Sequence, residues 1–150
     1  MTAVHIHLLL NHIPILGVLF GLLLLIYGAV KKTEEIERAG LVTFIVVALI
    51  TVPVFFSGLR TAHLIGNLPD IPKDIITQHQ AVAQFMLLAV VLLGAVALLS
   101  LRLSRRSQPV PQWIKTAVFV LATISSGLGV WTGSLGGQIR HSEVQADFSK

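Results

Sequence analysis

The chain has 150 residues, 54% of them apolar and 12% charged, with no cysteine, a formal net charge of +4 and a mean hydropathy of +0.82. This composition excludes an ordinary soluble domain, which would have to hide nearly all of its apolar surface, and the missing cysteines exclude disulfides, iron–sulfur clusters, thiolate zinc sites and covalent c-type haem attachment. Seven of the eleven basic residues sit in two short loops, a pattern that sets membrane topology, so no nucleic-acid partner is expected.

Four stretches carry no Asp, Glu, Lys or Arg: residues 2–30, 39–59, 75–101 and 116–139, the shortest of them 21 residues long. About 20 apolar residues cross a bilayer core as a helix. The expected fold is therefore a single all-α domain over residues 1–150. It is a bundle of four transmembrane helices running up-down-up-down, with both termini on the same side and membrane lipid as its surroundings. The first stretch is not expected to be a cleaved signal peptide, since it lacks a basic opening and a small-x-small site before Lys31.

The first helix opens HIHLLLNHIPILG. His7 and His12 are five residues apart, about 140° around a helix, so they face different directions. His5 and His12 share a face. Pro14 cannot donate to the carbonyl of Leu10, which distorts the helix beside His12. The Asn11-His12 pair lies roughly two turns inside the apolar stretch, where polar groups are rare and usually functional. His12 is therefore expected to be a ligand or its immediate neighbour, and His5 a headgroup anchor. Gly17 and Gly21 suit close helix packing. The loop that follows, KKTEEIER, is short and charged.

The second helix ends near Arg60 and His63. Its loop, RTAHLIGNLPDIPKD, carries turn signals at Gly66-Asn67, Pro69 and Pro72. The third helix opens with His79, and the basic loop RLSRRSQPVPQ follows it. The fourth helix carries Ser125, Gly129, Gly133 and Gly137 at a spacing of four, with Trp113 and Trp131 as interfacial anchors. A polar tail, GGQIRHSEVQADFSK, begins at the glycine pair and contains Arg140 and His141.

All six histidines thus fall at one end of the bundle. Lys31, Lys32, Arg38, Arg102, Arg105, Arg106 and Lys115 flank the opposite end, against Arg60, Lys73, Arg140 and Lys150 at the histidine end. The positive-inside bias makes the histidine end, with both termini, periplasmic in a bacterial inner membrane. Neutral imidazoles at helix ends, small residues beside them and cations nearby are what a b-type haem between helices requires. The candidate ligands are His7 or His12, His63, His79 and His141, enough for one or two haems, with His12 and His79 the favoured pair. Arg60 and Arg140 are candidate propionate partners, and Gly133 and Gly137 candidate ring contacts.

The run His7-x4-His12-x-Pro14-Ile15 resembles the opening His-Pro-Leu-Leu-Val-His-Phe-Pro-Ile of a broad family of small four-helix bacterial membrane proteins, mostly of unknown function. Thr132-Gly133-x-x-Gly136-Gly137-x-Ile139 followed by Arg140-His141 resembles that family's closing Gly-Gly-x-Leu-Val-Tyr-x-His segment, and Ser57-Gly58 and His79 also fit. Leu8 replaces the family's proline, and Arg140 stands where an apolar or aromatic residue is more usual. The resemblance implies a b-cytochrome-like module of respiratory electron transfer.

The expected function is electron exchange at one membrane face, with quinol or another redox subunit of a membrane complex as partner. Such a chain is more readily a subunit of an oxidoreductase than an enzyme alone. Two other classes compete: a divalent-metal site or transporter using the imidazoles, and a structural assembly subunit without cofactor. Transport is the weaker, because the helix middles are aliphatic rather than ionisable.

Overall fold

The computed structural model describes residues 3–65, 73–105 and 110–148, with side chains at 7–64, 73–104 and 110–139. Five helices occupy them: α1 (Ala3–Leu10), α2 (His12–Lys31), α3 (Glu34–Ile65), α4 (Lys73–Arg105) and α5 (Gln112–Phe148). The expected turns at Gly66-Asn67, Pro69 and Pro72 lie outside the described residues, as do the side chains of His5, Arg140 and His141.

The first apolar segment is one spanning helix interrupted at Asn11. The Asn11 N–H still donates to the His7 carbonyl at 2.8 Å. Pro14 cannot bond Leu10, and its ring crowds that carbonyl, so the helical ladder breaks between α1 and α2. Four spans, His7–Lys31, Glu34–Leu64, Lys73–Ser104 and Gln112–Ile139, are long and apolar enough to cross a membrane. Leu16, Phe20, Leu23, Leu49, Phe56, Phe85 and Leu88 are exposed on their outer surfaces. In water such a surface would aggregate, whereas in a bilayer it is the solvated face. The architecture is that of a multi-pass membrane protein, an all-α four-helix bundle.

The helices outrun the charge-free stretches. α3 takes in the acidic Glu34, Glu35 and Glu37 at its first turn, where carboxylates complement the helix dipole. α5 runs on through Gly136-Gly137 into the polar tail. Avoidance of charge marks the hydrocarbon layer, not the end of the backbone hydrogen-bond ladder, so helices continue into the headgroup region. The first hairpin closes tightly. Lys32 adopts a left-handed conformation (φ 55°), and the Thr33 N–H reaches the Gly28 carbonyl at 2.9 Å.

α2, α3, α4 and α5 pack in that order as a ring, with α5 closing on α2, and α1 leans on α3. The half of the bundle away from the histidines is dry. Val18, Phe44, Val47, Val90, Leu93, Ala97, Val118 and Ala122 form its core. Gly17 faces Val47, Gly21 faces Phe44, and Gly94 faces Ala48, so each glycine is filled by a neighbouring side chain.

Candidate functional site

At the histidine end the ring opens into a cavity of about 320 Å³ lined by α1–α2, α3, α4 and α5. Its floor is made by Ile15 and Met86, which meet over Gly129. That volume falls in the range, roughly 300–1,000 Å³, of pockets that hold small molecules and cofactors. Histidine, asparagine, glutamine and threonine supply the polar lining, and among the described residues no Asp, Glu, Lys or Arg contributes to it.

Two imidazoles are fixed in the wall. The His7 ring, on α1, places Nδ1 3.3 Å from the Val54 carbonyl and 3.2 Å from Ser57 Oγ on α3. Ser57 Oγ itself donates to the Val54 carbonyl at 2.7 Å, so both oxygens act as acceptors toward His7 and its Nδ1 carries the proton. The His79 ring, on α4, donates Nδ1–H to the Thr132 carbonyl of α5 at 3.1 Å. A carbonyl can only accept, so His79 has the same tautomer. In both rings Nε2 therefore keeps an unprotonated lone pair. A ring nitrogen anchored on a carbonyl and a basic nitrogen left over is the arrangement by which proteins orient metal-ligating histidines.

Glycines make room for these rings. A Cβ on Gly58 would lie 2.8 Å from Cε1 of His7, and one on Gly136 would lie 3.4 Å from Cε1 of His79. On the opposite wall Gly133 approaches only Ile15, and a Cβ on Gly137 would meet nothing within 4 Å. Within the small-residue row of α5, Gly137 thus presents bare backbone to the cavity, while Ile15 covers Gly133. Asn11, on the rim of the break, has a buried Oδ1 that makes no hydrogen bond among the described residues. Asn11 also lines the cavity. A buried amide oxygen left unpaired costs about 1–3 kcal/mol unless a ligand or water satisfies it.

The structure brings His7, His12, His79, Gly133 and Gly137 to one cavity. His12 is exposed at its edge and its ring makes no hydrogen bond among the described residues. Of the two first-segment histidines with described side chains it is thus His7 that is anchored, although the depth of His12 in the sequence favoured the latter. His63 is exposed near the end of α3 and Arg60 is exposed one turn before it, and neither lines the cavity. Sequence reasoning gave no role to the acceptors that fix the rings, Ser57 Oγ and the Val54 and Thr132 carbonyls. A serine near the histidine end of an apolar helix, followed by glycine, was the one signal available for them. Among the described residues no three His, Asp or Glu side chains gather as a metal-binding cluster.

No family model, curated protein or solved structure matches this chain.

Proposed function

We propose that this chain is a b-type haem protein of a bacterial inner membrane, an electron-transfer subunit holding one haem between His7 and His79. The reading rests on one observation above the others. Two imidazoles from different helices line one cavity, each with its Nδ1–H tied to a backbone carbonyl and its Nε2 lone pair free. The rest of the lining fits a flat, largely apolar macrocycle: glycine backbone at Gly133 and Gly137, aliphatic floor at Ile15 and Met86, and an unpaired amide oxygen at Asn11.

When bound, haem would supply a reversible one-electron store. The protein's part is to hold and tune it. Val54, Ser57 and Thr132 fix the ring orientations and raise the basicity of the ligating nitrogens. The dry core beneath Met86 excludes water from the inner half. Arg60, between the lining residues Leu59 and Ala62 in sequence, is the cation suited to a propionate reaching the surface. The charge asymmetry of the loops supports a periplasmic position for this end and both termini. Electron partners are quinol or a redox subunit.

Absorbance and metal content of the protein purified in detergent test the proposal. The expected result is a Soret band that shifts on dithionite reduction, together with bound iron. A colourless protein retaining zinc, nickel or copper would replace it with a divalent-metal site. A colourless, metal-free protein would leave an assembly subunit.

A further inference from the structure

The outer surface of α4 carries a polar side chain that its own helix leaves unpaired. Ala81, Gln84, Leu88, Val91, Ala95 and Leu98 are all exposed. Their spacing alternates between three and four, so they form one continuous stripe. The bundle packs on α4 from other sides, through α3 and α5, and none of the six residues lines the cavity.

Gln84 lies deep in the hydrocarbon. The charge-free stretch 75–101 is centred on Leu88. Gln84 is four residues from that centre, about 6 Å along a helix, whereas a bilayer core extends about 15 Å to either side. Gln78, ten residues from the centre, reaches the boundary at about 15 Å, where headgroups and water are available. The hydroxyls on exposed helix faces are satisfied at home: Thr123 donates to the Phe119 carbonyl at 2.9 Å, Thr116 to that of Gln112 at 3.1 Å and Ser134 to that of Trp131 at 3.0 Å. The Gln84 amide makes no hydrogen bond among the described residues. It holds two N–H donors and a carbonyl acceptor, and lipid tails can serve neither. A polar group left so in hydrocarbon is costly and calls for a partner.

The chemistry of the stripe selects a second copy of this chain. Copies inserted in one membrane share one orientation, so α4 against α4 is parallel, and each residue on the two-fold axis meets its own counterpart at the same depth. An amide is self-complementary: one Gln84 N–H donates to the Oε1 of the other and accepts the same bond in return. Ala81 and Ala95 flank it with little bulk, which lets the two backbones approach. A phospholipid headgroup is held at the boundary, about 9 Å from this depth.

We infer that this chain forms a parallel homodimer through the exposed face of α4, with Gln84 bonded to Gln84 across the two-fold axis. The interface lies on the outside of the bundle and does not depend on what occupies the cavity.

The purified protein, labelled in separate donor and acceptor batches and mixed in phosphatidylcholine vesicles, tests this by energy transfer as added lipid dilutes it. A reversible monomer–dimer transition is expected. Gln84→Leu should raise the dissociation constant about tenfold, the worth of two interhelical hydrogen bonds of ordinary membrane strength. Gln84→Asn keeps the amide and should recover most of that loss. Thr123→Leu removes a polar group from the exposed face of α5, where it is already satisfied, and should match wild type. The chain has no cysteine, so single cysteines report the geometry. Ala81→Cys should cross-link to its own copy under mild oxidation, and Phe20→Cys, on the exposed face of α2, should not. An antiparallel pair would hold the two Ala81 positions about 20 Å apart and leave them unlinked. Energy transfer that is absent, or equally strong in wild type and Gln84→Leu, overturns the inference. So does a cross-link at Phe20→Cys as strong as that at Ala81→Cys.

Discussion

The two ends of the bundle use glycine in opposite ways. In the dry half, the space that each buried glycine leaves is filled from across the interface. Gly21 receives the Phe44 ring, and Gly28 and Gly40 receive backbone, with a Cβ on Gly28 lying 2.7 Å from the Glu37 nitrogen. At the histidine end Gly58 and Gly136 face an imidazole, Gly133 faces Ile15, and Gly137 faces nothing within 4 Å. Membrane helices gain little from hiding apolar surface from one another, since lipid solvates it equally well, so close packing carries the association. A region that forgoes that packing needs another reason to be built as it is, and here the reason is a polar-lined space.

Substitutions can break this contrast, and the largest effect belongs in the dry half. Gly28→Ala should destabilise the protein by about 3 kcal/mol, the upper end of overpacking costs, because the obstructing atoms are backbone and cannot swing away. Thermal or denaturant unfolding in detergent would measure it. Phe44→Ala should cost about 2 kcal/mol. That is less than in a soluble core, because the transfer contribution largely vanishes in lipid and the lost packing remains.

Ser125→Ala should act in the opposite direction. Ser125 is fully buried, and its hydroxyl makes no hydrogen bond among the described residues, so its removal should stabilise by about 1 kcal/mol. Gly137→Ala should change stability by less than about 0.5 kcal/mol, as open space on one side and better helix propensity on the other leave no cost. A penalty at Gly137 as large as that at Gly28 would erase the distinction between the two ends.

Much of this was legible in the sequence. Charge-free stretches located the four spans, and an even number of them put the histidine-bearing ends together. Pro14 signalled a distortion beside His12, which the structure shows as a break at Asn11, and the spacing of Ser125, Gly129, Gly133 and Gly137 signalled a small-residue stripe on α5. What was not legible depends on pairing between distant residues. His7 is anchored rather than His12 because Val54 and Ser57 stand opposite it on α3, and His79 is anchored by a backbone carbonyl on α5 that has no signature in the letters. Helix ends were also hidden, because α5 continues as helix after the sequence has turned polar.

The central claim is that His7 and His79, and no exposed histidine, hold a haem. Reduced-minus-oxidised difference spectra of His7→Ala, His79→Ala and His63→Ala, each expressed with haem supply and compared with wild type, test it most directly. The account predicts that the first two lose the wild-type signal and that His63→Ala keeps it. An unchanged spectrum in His79→Ala, or a loss confined to His63→Ala, would contradict it.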